Sequence, residues 1–203
     1  PQLHHCCHSL SKTYTATAIG VAEYEGLLSL HDRVADIFPE AVTESSPERL
    51  LRLTVRDLLV MGAGIAQEQD GYPENWICEF LNQPYQHEPG AFWRYDSHAT
   101  SCLAAIVERL SGQSLIDYLT PRLFEPIGID SKNVMCLKAA DGASIGGSGL
   151  FTTTEDNLRL MKLYLDGGVC DGKRILSERF VREATSAQMD TAPAHAHTPW
   201  IYE

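Results

Sequence analysis

The segment that follows Asp96 constrains the fold more than any other. Ala99, Leu103, Ile106, Val107 and Leu110 recur at three- and four-residue intervals, which lays them along one stripe of a helix. Asp96 or Ser97 can cap its start, and Ser111-Gly112 closes it. Such a stripe must be buried against other elements, and the chain supplies them. Ala16, Ile19 and Ala22 share one face between Thr13 and about Glu25, and Gly26 ends that helix. Thr54 caps a short helix, with Asp57 three residues on completing a capping box, and Gly62-Ala63-Gly64 stops it. Asn75 to Asn82 can form another. Ser114 with Asp117 opens a further helix that Pro121 kinks and Pro126-Ile127-Gly128-Ile129 closes. Thr152-Thr153-Thr154-Glu155-Asp156 begins a helix with Leu158, Met161 and Leu165 on one face, ended by Gly167-Gly168. Ser177 caps a final helix to about Ala187.

Very few segments read as strands, so a mostly helical chain is expected, with no internal repeat and no domain boundary within 1–203. Gln67 to Arg94 carries Gly71, Pro73, Pro84, Pro89, Trp76 and Trp93. A long irregular stretch with aromatics is expected to shape a binding surface or hold short helices. The tail from Thr191 ends at Trp200-Ile201-Tyr202-Glu203 with no closing element.

Composition narrows the function classes. With 203 residues, 44% of them hydrophobic and 21% charged, the chain can bury a core and is not disordered. A net charge of -11 with scattered Lys and Arg argues against nucleic-acid binding and against docking on anionic membranes. The longest apolar run, Leu58 to Ala66, is broken by two glycines and falls short of the ~18 residues of a membrane span. No signal peptide is present, and the chain begins at Pro1. The six cysteines are dispersed without a Cys-x-x-Cys pair, which points to reduced thiols and a cytoplasmic, reducing compartment. His4-His5-Cys6-Cys7-His8 holds five potential metal ligands in five residues. Structural zinc sites need a second pair far along the chain. The only candidates are His195 and His197, so no metal site is expected.

The chemistry is concentrated at Ser9-Leu10-Ser11-Lys12, just before the first helix. Positions three apart on a helix share a face and lie ~4.5 Å apart along the axis, so Ser9 and Lys12 would point the same way. A serine hydroxyl attacks well only when a base takes its proton. A lysine is such a base only where desolvation or nearby positive charge favours its neutral form. The helix start adds partial positive charge and an unpaired N–H for an oxyanion. The bland reading is an N-cap serine followed by a solvated lysine.

The motifs together resemble the serine β-lactamase-like hydrolases, near the class C β-lactamases, penicillin-binding proteins and related esterases and amide hydrolases. Ser9-Leu10-Ser11-Lys12-Thr13 resembles the nucleophile motif, and Leu53 to Leu59 with Gly62-Ala63-Gly64 the second helix and loop. Pro89-Gly90-Ala91-Phe92-Trp93-Arg94-Tyr95-Asp96-Ser97 resembles the approach to a Tyr-x-Asn motif. Arg122-Leu123-Phe124-Glu125-Pro126-Ile127-Gly128-Ile129 and Gly146-Gly147-Ser148-Gly149-Leu150-Phe151 follow in family order.

The resemblance implies an α+β, β-lactamase/transpeptidase-like fold, of which this chain carries mainly the helical region and lacks most of the antiparallel sheet. It implies Ser9 as the acylated nucleophile, and Lys12 as acceptor of its proton or as the group that holds the tyrosine ionised. Tyr95 would shuttle a proton to the leaving group. Ser97 would contact substrate where class C enzymes have asparagine, with a shorter reach and fewer donors. It implies no cofactor, and a small-molecule or peptide substrate such as a β-lactam, a D-amino-acid peptide, an ester or an oligoamide. The third family motif, a Lys- or His-Thr-Gly tripeptide on a strand, does not follow the region of Thr185 to Met189. With no strands before Ser9 or after Tyr202, the chain is expected to be a fragment that leaves apolar helix faces uncovered. A carboxylesterase or D-aminopeptidase, a non-catalytic penicillin-binding homologue, and a metal-binding protein using the His/Cys cluster are the competing readings.

Overall fold

A computed structural model describes residues 3–66 and 70–195. Nine α-helices occur among them: α1 Ser11–Tyr24, α2 Val34–Ile37, α3 Val55–Leu59, α4 Trp76–Leu81, α5 Ser97–Ser111, α6 Leu115–Leu119, α7 Thr154–Leu165, α8 Glu178–Ala184 and α9 Ala192–His195. The strands are β1 His5–Cys6, β2 Met135–Cys136, β3 Leu150–Thr152, β4 Val169–Cys170 and β5 Lys173–Arg174. His197 and the terminal Trp200-Ile201-Tyr202-Glu203 lie outside the described residues.

Helix starts fall where side-chain oxygens can satisfy the orphan N–H groups of a first turn. Thr54 and Asp57 form a complete capping box at α3, and Thr153 and Asp156 form another at α7. Ser114 and Ser177 cap α6 and α8. Gly112, at φ 69°, supplies the left-handed residue that ends α5.

The core forms where α1 packs along α5. The stripe of α5 is buried as its spacing requires, with Ala99, Leu103, Ile106 and Val107 at most 1% exposed. Each such aliphatic side chain contributes roughly 1.5–3 kcal/mol through burial. Tyr14 of α1 meets the Phe124 ring edge-on at 6.2 Å. Gly20 lets α8 close on α1, because a β-carbon there would stand 2.5 Å from the Phe180 ring. Among the described residues, no helix is long and apolar enough to cross a membrane.

Three expectations need correction. A strand does precede Ser9: β1 pairs antiparallel with β3, His5 opposite Thr152 and Cys6 opposite Phe151, while β2 lines the other edge of β3. A two-residue strand has no periodicity to read, and its His/Cys composition suggested a ligand cluster. Cys6 Sγ instead donates to the Ser148 carbonyl at 3.6 Å, and Cys7 Sγ lies 3.0 Å from Thr152 Oγ1.

The first helix begins at Ser11 rather than Thr13, preceded by a 3₁₀ turn over His8–Leu10. The last long helix ends at Ala184, and α9 follows it. In line with the expectation of uncovered apolar helix faces, the apolar stripe of α7 faces outward: Leu158, Met161 and Leu165 are 64%, 36% and 86% exposed, while Leu160 and Leu163 enter the core. Periodicity locates a stripe but not what covers it. All six cysteines are free thiols. Burial pushes the Cys136 thiol up to about 11 and raises Cys102 further.

Candidate active site

Three segments far apart in sequence meet at Ser9. The first is the run from β1 into α1. The Cys7 N–H donates to the Leu150 carbonyl at 2.8 Å, which extends the strand pairing to the edge of the turn. His8 then takes a left-handed conformation at φ 46°. A non-glycine residue there costs on the order of 1 kcal/mol, and it reverses the chain so that Ser9 is exposed on the 3₁₀ turn.

The second segment is the start of α5. Asp96 is 5% exposed, and its Oδ1 accepts from the N–H groups of His98 at 2.8 Å and Ala99 at 3.1 Å. This cap fixes the helix start between Tyr95 and Ser97. Asp96→Ala should therefore lower the unfolding free energy by about 1–2 kcal/mol in urea titration.

The third segment is the Gly146–Gly149 turn between β2 and β3. Its glycines permit close backbone approach. A β-carbon on Gly146 would stand 2.6 Å from both Ala104 Cβ and Thr15 Oγ1, and one on Gly147 would stand 2.3 Å from the Ser97 carbonyl oxygen. Thr15 Oγ1 donates to the Gly146 carbonyl at 2.9 Å, and the Gly147 N–H donates to Ser101 Oγ at 3.1 Å.

Lys12 joins the three segments. Its Nζ donates to Ser9 Oγ at 3.4 Å, to Ser97 Oγ at 3.1 Å and to the Gly147 carbonyl at 2.6 Å. It also lies 4.7 Å from the centre of the Tyr95 ring. Ser9 Oγ and Tyr95 Oη share a hydrogen bond. All four residues expected from sequence thus stand in one bonded cluster. Lys12 has neutral acceptors and, among the described residues, no carboxylate partner.

A cavity of about 360 Å³ opens on the side of Lys12 toward Met161, Tyr164 and Ala184, and Ser9, Tyr95 and Ser97 do not line it. That volume suits a small organic molecule. The Gly147 carbonyl, Ser101 and Thr15 went unassigned from sequence alone. The signal was available: four glycines in eight residues, Gly142 to Gly149, mark backbone in close contact with something. No described trio of His, Cys, Asp or Glu side chains is arranged to hold a metal ion.

Known proteins are similar to this chain in sequence and architecture. Penicillin-binding protein 4 of Amycolatopsis lactamdurans is 28% identical over 90% of this chain and 57% of its own length. The 6-aminohexanoate-dimer hydrolase of Paenarthrobacter ureafaciens is 26% identical over 89% of this chain and 50% of its own length. The octameric penicillin-binding protein homologue from Pyrococcus abyssi superposes with a TM-score of 0.74 at 18% identity, covering 94% of this chain and 50% of that one. The chain therefore spans about half the length of these proteins. The sequence model of the beta-lactamase family matches residues 4–200, and on that match over nearly the whole chain the protein belongs to the beta-lactamase family of hydrolases.

Proposed function

We propose that the protein is a serine hydrolase that opens an amide, ester or lactam carbonyl through an acyl-enzyme on Ser9. The observation that carries this reading is the convergence of Lys12 and Tyr95 on the Ser9 hydroxyl. Ser9 Oγ forms the bond to the carbonyl carbon as its proton passes to Lys12 Nζ or Tyr95 Oη. The negative charge gathers on the carbonyl oxygen. The first N–H groups of a helix lack intrahelical partners. Leu10 N–H is taken by the Cys7 carbonyl at 3.0 Å, and the Ser9 N–H, on the nucleophile itself, is the donor this reading gives to that oxyanion.

Collapse breaks the bond to the leaving amine or alcohol, which takes its proton from the Tyr95–Lys12 pair. Water then attacks the acyl-serine and gives its proton to the same pair; the bond to Ser9 Oγ breaks, Ser9 takes that proton back, and the acid is released. Ser97 borders this centre through Lys12 and is the side chain from this helix that would meet substrate.

The test is intact-mass measurement after incubation with a fluorophosphonate and, separately, with a penicillin. The expected result is one adduct per chain that Ser9→Ala abolishes. The reagent that labels separates ester-like from lactam recognition. A stable penicillin adduct without turnover would assign the protein to penicillin binding rather than hydrolysis. A folded wild-type sample that forms no adduct with either reagent would overturn the proposal.

A further inference from the structure

One stripe of α5 runs from the candidate site to the far end of the helix: Ser97, Ser101, Ala104 and Glu108, at spacings of four, three and four residues. The segment 144–147 lies along it in the opposite sense. Ser144 sits at Glu108, Gly146 at Ala104, and Gly147 at Ser101 and Ser97. The end of this segment is the carbonyl that takes the 2.6 Å hydrogen bond from Lys12.

Glu108 is the one ionised group of the stripe, and its side chain is only 15% exposed. Its Oε2 accepts from the Ser144 N–H at 3.0 Å, and its Oε1 from Ser144 Oγ at 2.7 Å. The Leu115 N–H at 2.8 Å and Lys138 Nζ at 3.2 Å complete the shell. Lys138 also donates to Ser144 Oγ at 2.8 Å. A carboxylate held by several donors in a half-buried place gives short, directional bonds that resist sliding of the attached backbone. Only two residues, Ile145 and Gly146, separate this clamp at Ser144 from Gly147, and Ile145 N–H is tied to the Leu137 carbonyl at 2.8 Å on the way.

We infer that Glu108 is a positioning residue: it clamps Ser144 so that the glycine turn presents the Gly147 carbonyl to Lys12. The inference rests on the reading of Ser9 and Lys12 given above, but it concerns where Lys12 is held, which can be measured apart from turnover. Loss of the clamp frees the turn, the lysine loses its firmest neutral acceptor, and both its protection and its aim at Ser9 relax.

Two variants test this. Glu108→Gln keeps the shape but turns an NH₂ toward groups that themselves donate. Ser144→Ala removes the hydroxyl's two hydrogen bonds, to Glu108 and from Lys138, and keeps the carboxylate, which separates positioning from the through-space effect of the charge. Acetylation by acetic anhydride, mapped by peptide mass, reads how well Lys12 is held, with Lys132, Lys162 and Lys173 as internal controls. Both variants should raise the Lys12 rate several-fold while the three control lysines stay unchanged. Fluorophosphonate labelling of Ser9 should slow about tenfold, in line with the sensitivity of catalysis to small misplacements.

Unchanged Lys12 acetylation in a folded Ser144→Ala protein overturns the inference, and this variant decides if Glu108→Gln fails to fold. Equal acceleration at all lysines also overturns it, since that reports general loosening. If Lys12 responds but wild-type Ser9 takes no label, the positioning inference stands and the proposed hydrolase chemistry falls.

Discussion

Replacing Lys12 with methionine should slow the acylation of Ser9 by about 1,000-fold, a loss typical of a positioned acid–base group. Methionine keeps an unbranched stem of similar length, so the packing of the first helical turn changes little. What disappears is the amino group that donates to Ser9, Ser97 and the Gly147 carbonyl. The Ser9 hydroxyl then keeps Tyr95 as its partner, but the phenol loses the cation beside its ring. Time-resolved intact mass with a fluorophosphonate measures the rate.

A second variant divides the two routes for the proton. If Lys12 accepts it directly, Tyr95→Phe should cost much less than Lys12→Met. If the tyrosine accepts it with the lysine as its counter-charge, the two losses should match, and the double variant should lose no more than either alone, as residues that act as a unit do. A Lys12→Met protein within tenfold of the wild type would remove lysine from the mechanism.

The second large effect is expected at Gly147. A methyl group there would stand 2.3 Å from the Ser97 carbonyl oxygen and 3.0 Å from Ser101 Oγ. The first neighbour is helical backbone, so the turn has to move rather than a flexible side chain. Overpacking of this kind costs about 1–3 kcal/mol. Gly147→Ala should show it as a lower midpoint in urea.

The functional cost should be larger. The same displacement pulls the Gly147 carbonyl from Lys12, and a shift of about 1 Å at such a place lowers rates roughly 100-fold. Ser148→Ala in the same turn is the control. The Ser148 side chain makes no hydrogen bond among the described residues, and its replacement should leave stability within about 0.5 kcal/mol. If Gly147→Ala is stable and acylates at the wild-type rate, the turn does not set the lysine.

Much of the local structure was legible from the sequence, for reasons internal to each segment. Asp96 caps the long helix, and Thr54 with Asp57 forms the box at α3, because an N–H without a partner in a first turn must find an oxygen nearby in sequence. The Ala99–Val107 stripe is core because its spacing leaves one face apolar. Ser9 and Lys12 point together because a helical turn makes them neighbours. Tyr95 and Ser97 entered through family resemblance, and the fold brings both to the same cluster across 86 and 85 residues.

What stayed illegible depends on distant partners. The two-residue strand before Ser9 exists through its pairing with Leu150–Thr152, and nothing in His5-Cys6 announces it. The outward stripe of α7 has the same spacing as an inward one. The work of the glycine turn is set by Thr15, Ser101 and Glu108, which stand on two other helices.

The sequence by itself determined the capped starts of the helices at Thr54, Asp96, Ser114, Thr153 and Ser177, and which residues could carry acyl-transfer chemistry, because capping, periodicity and hydroxyl or amine reactivity are properties of short segments. Only the tertiary structure decided that the Gly147 carbonyl meets Lys12, which oxygen faces which donor, and which apolar faces are covered. Those depend on distances between segments far apart in sequence, such as Cys7 and Thr152, 145 residues apart, and such distances are fixed by packing.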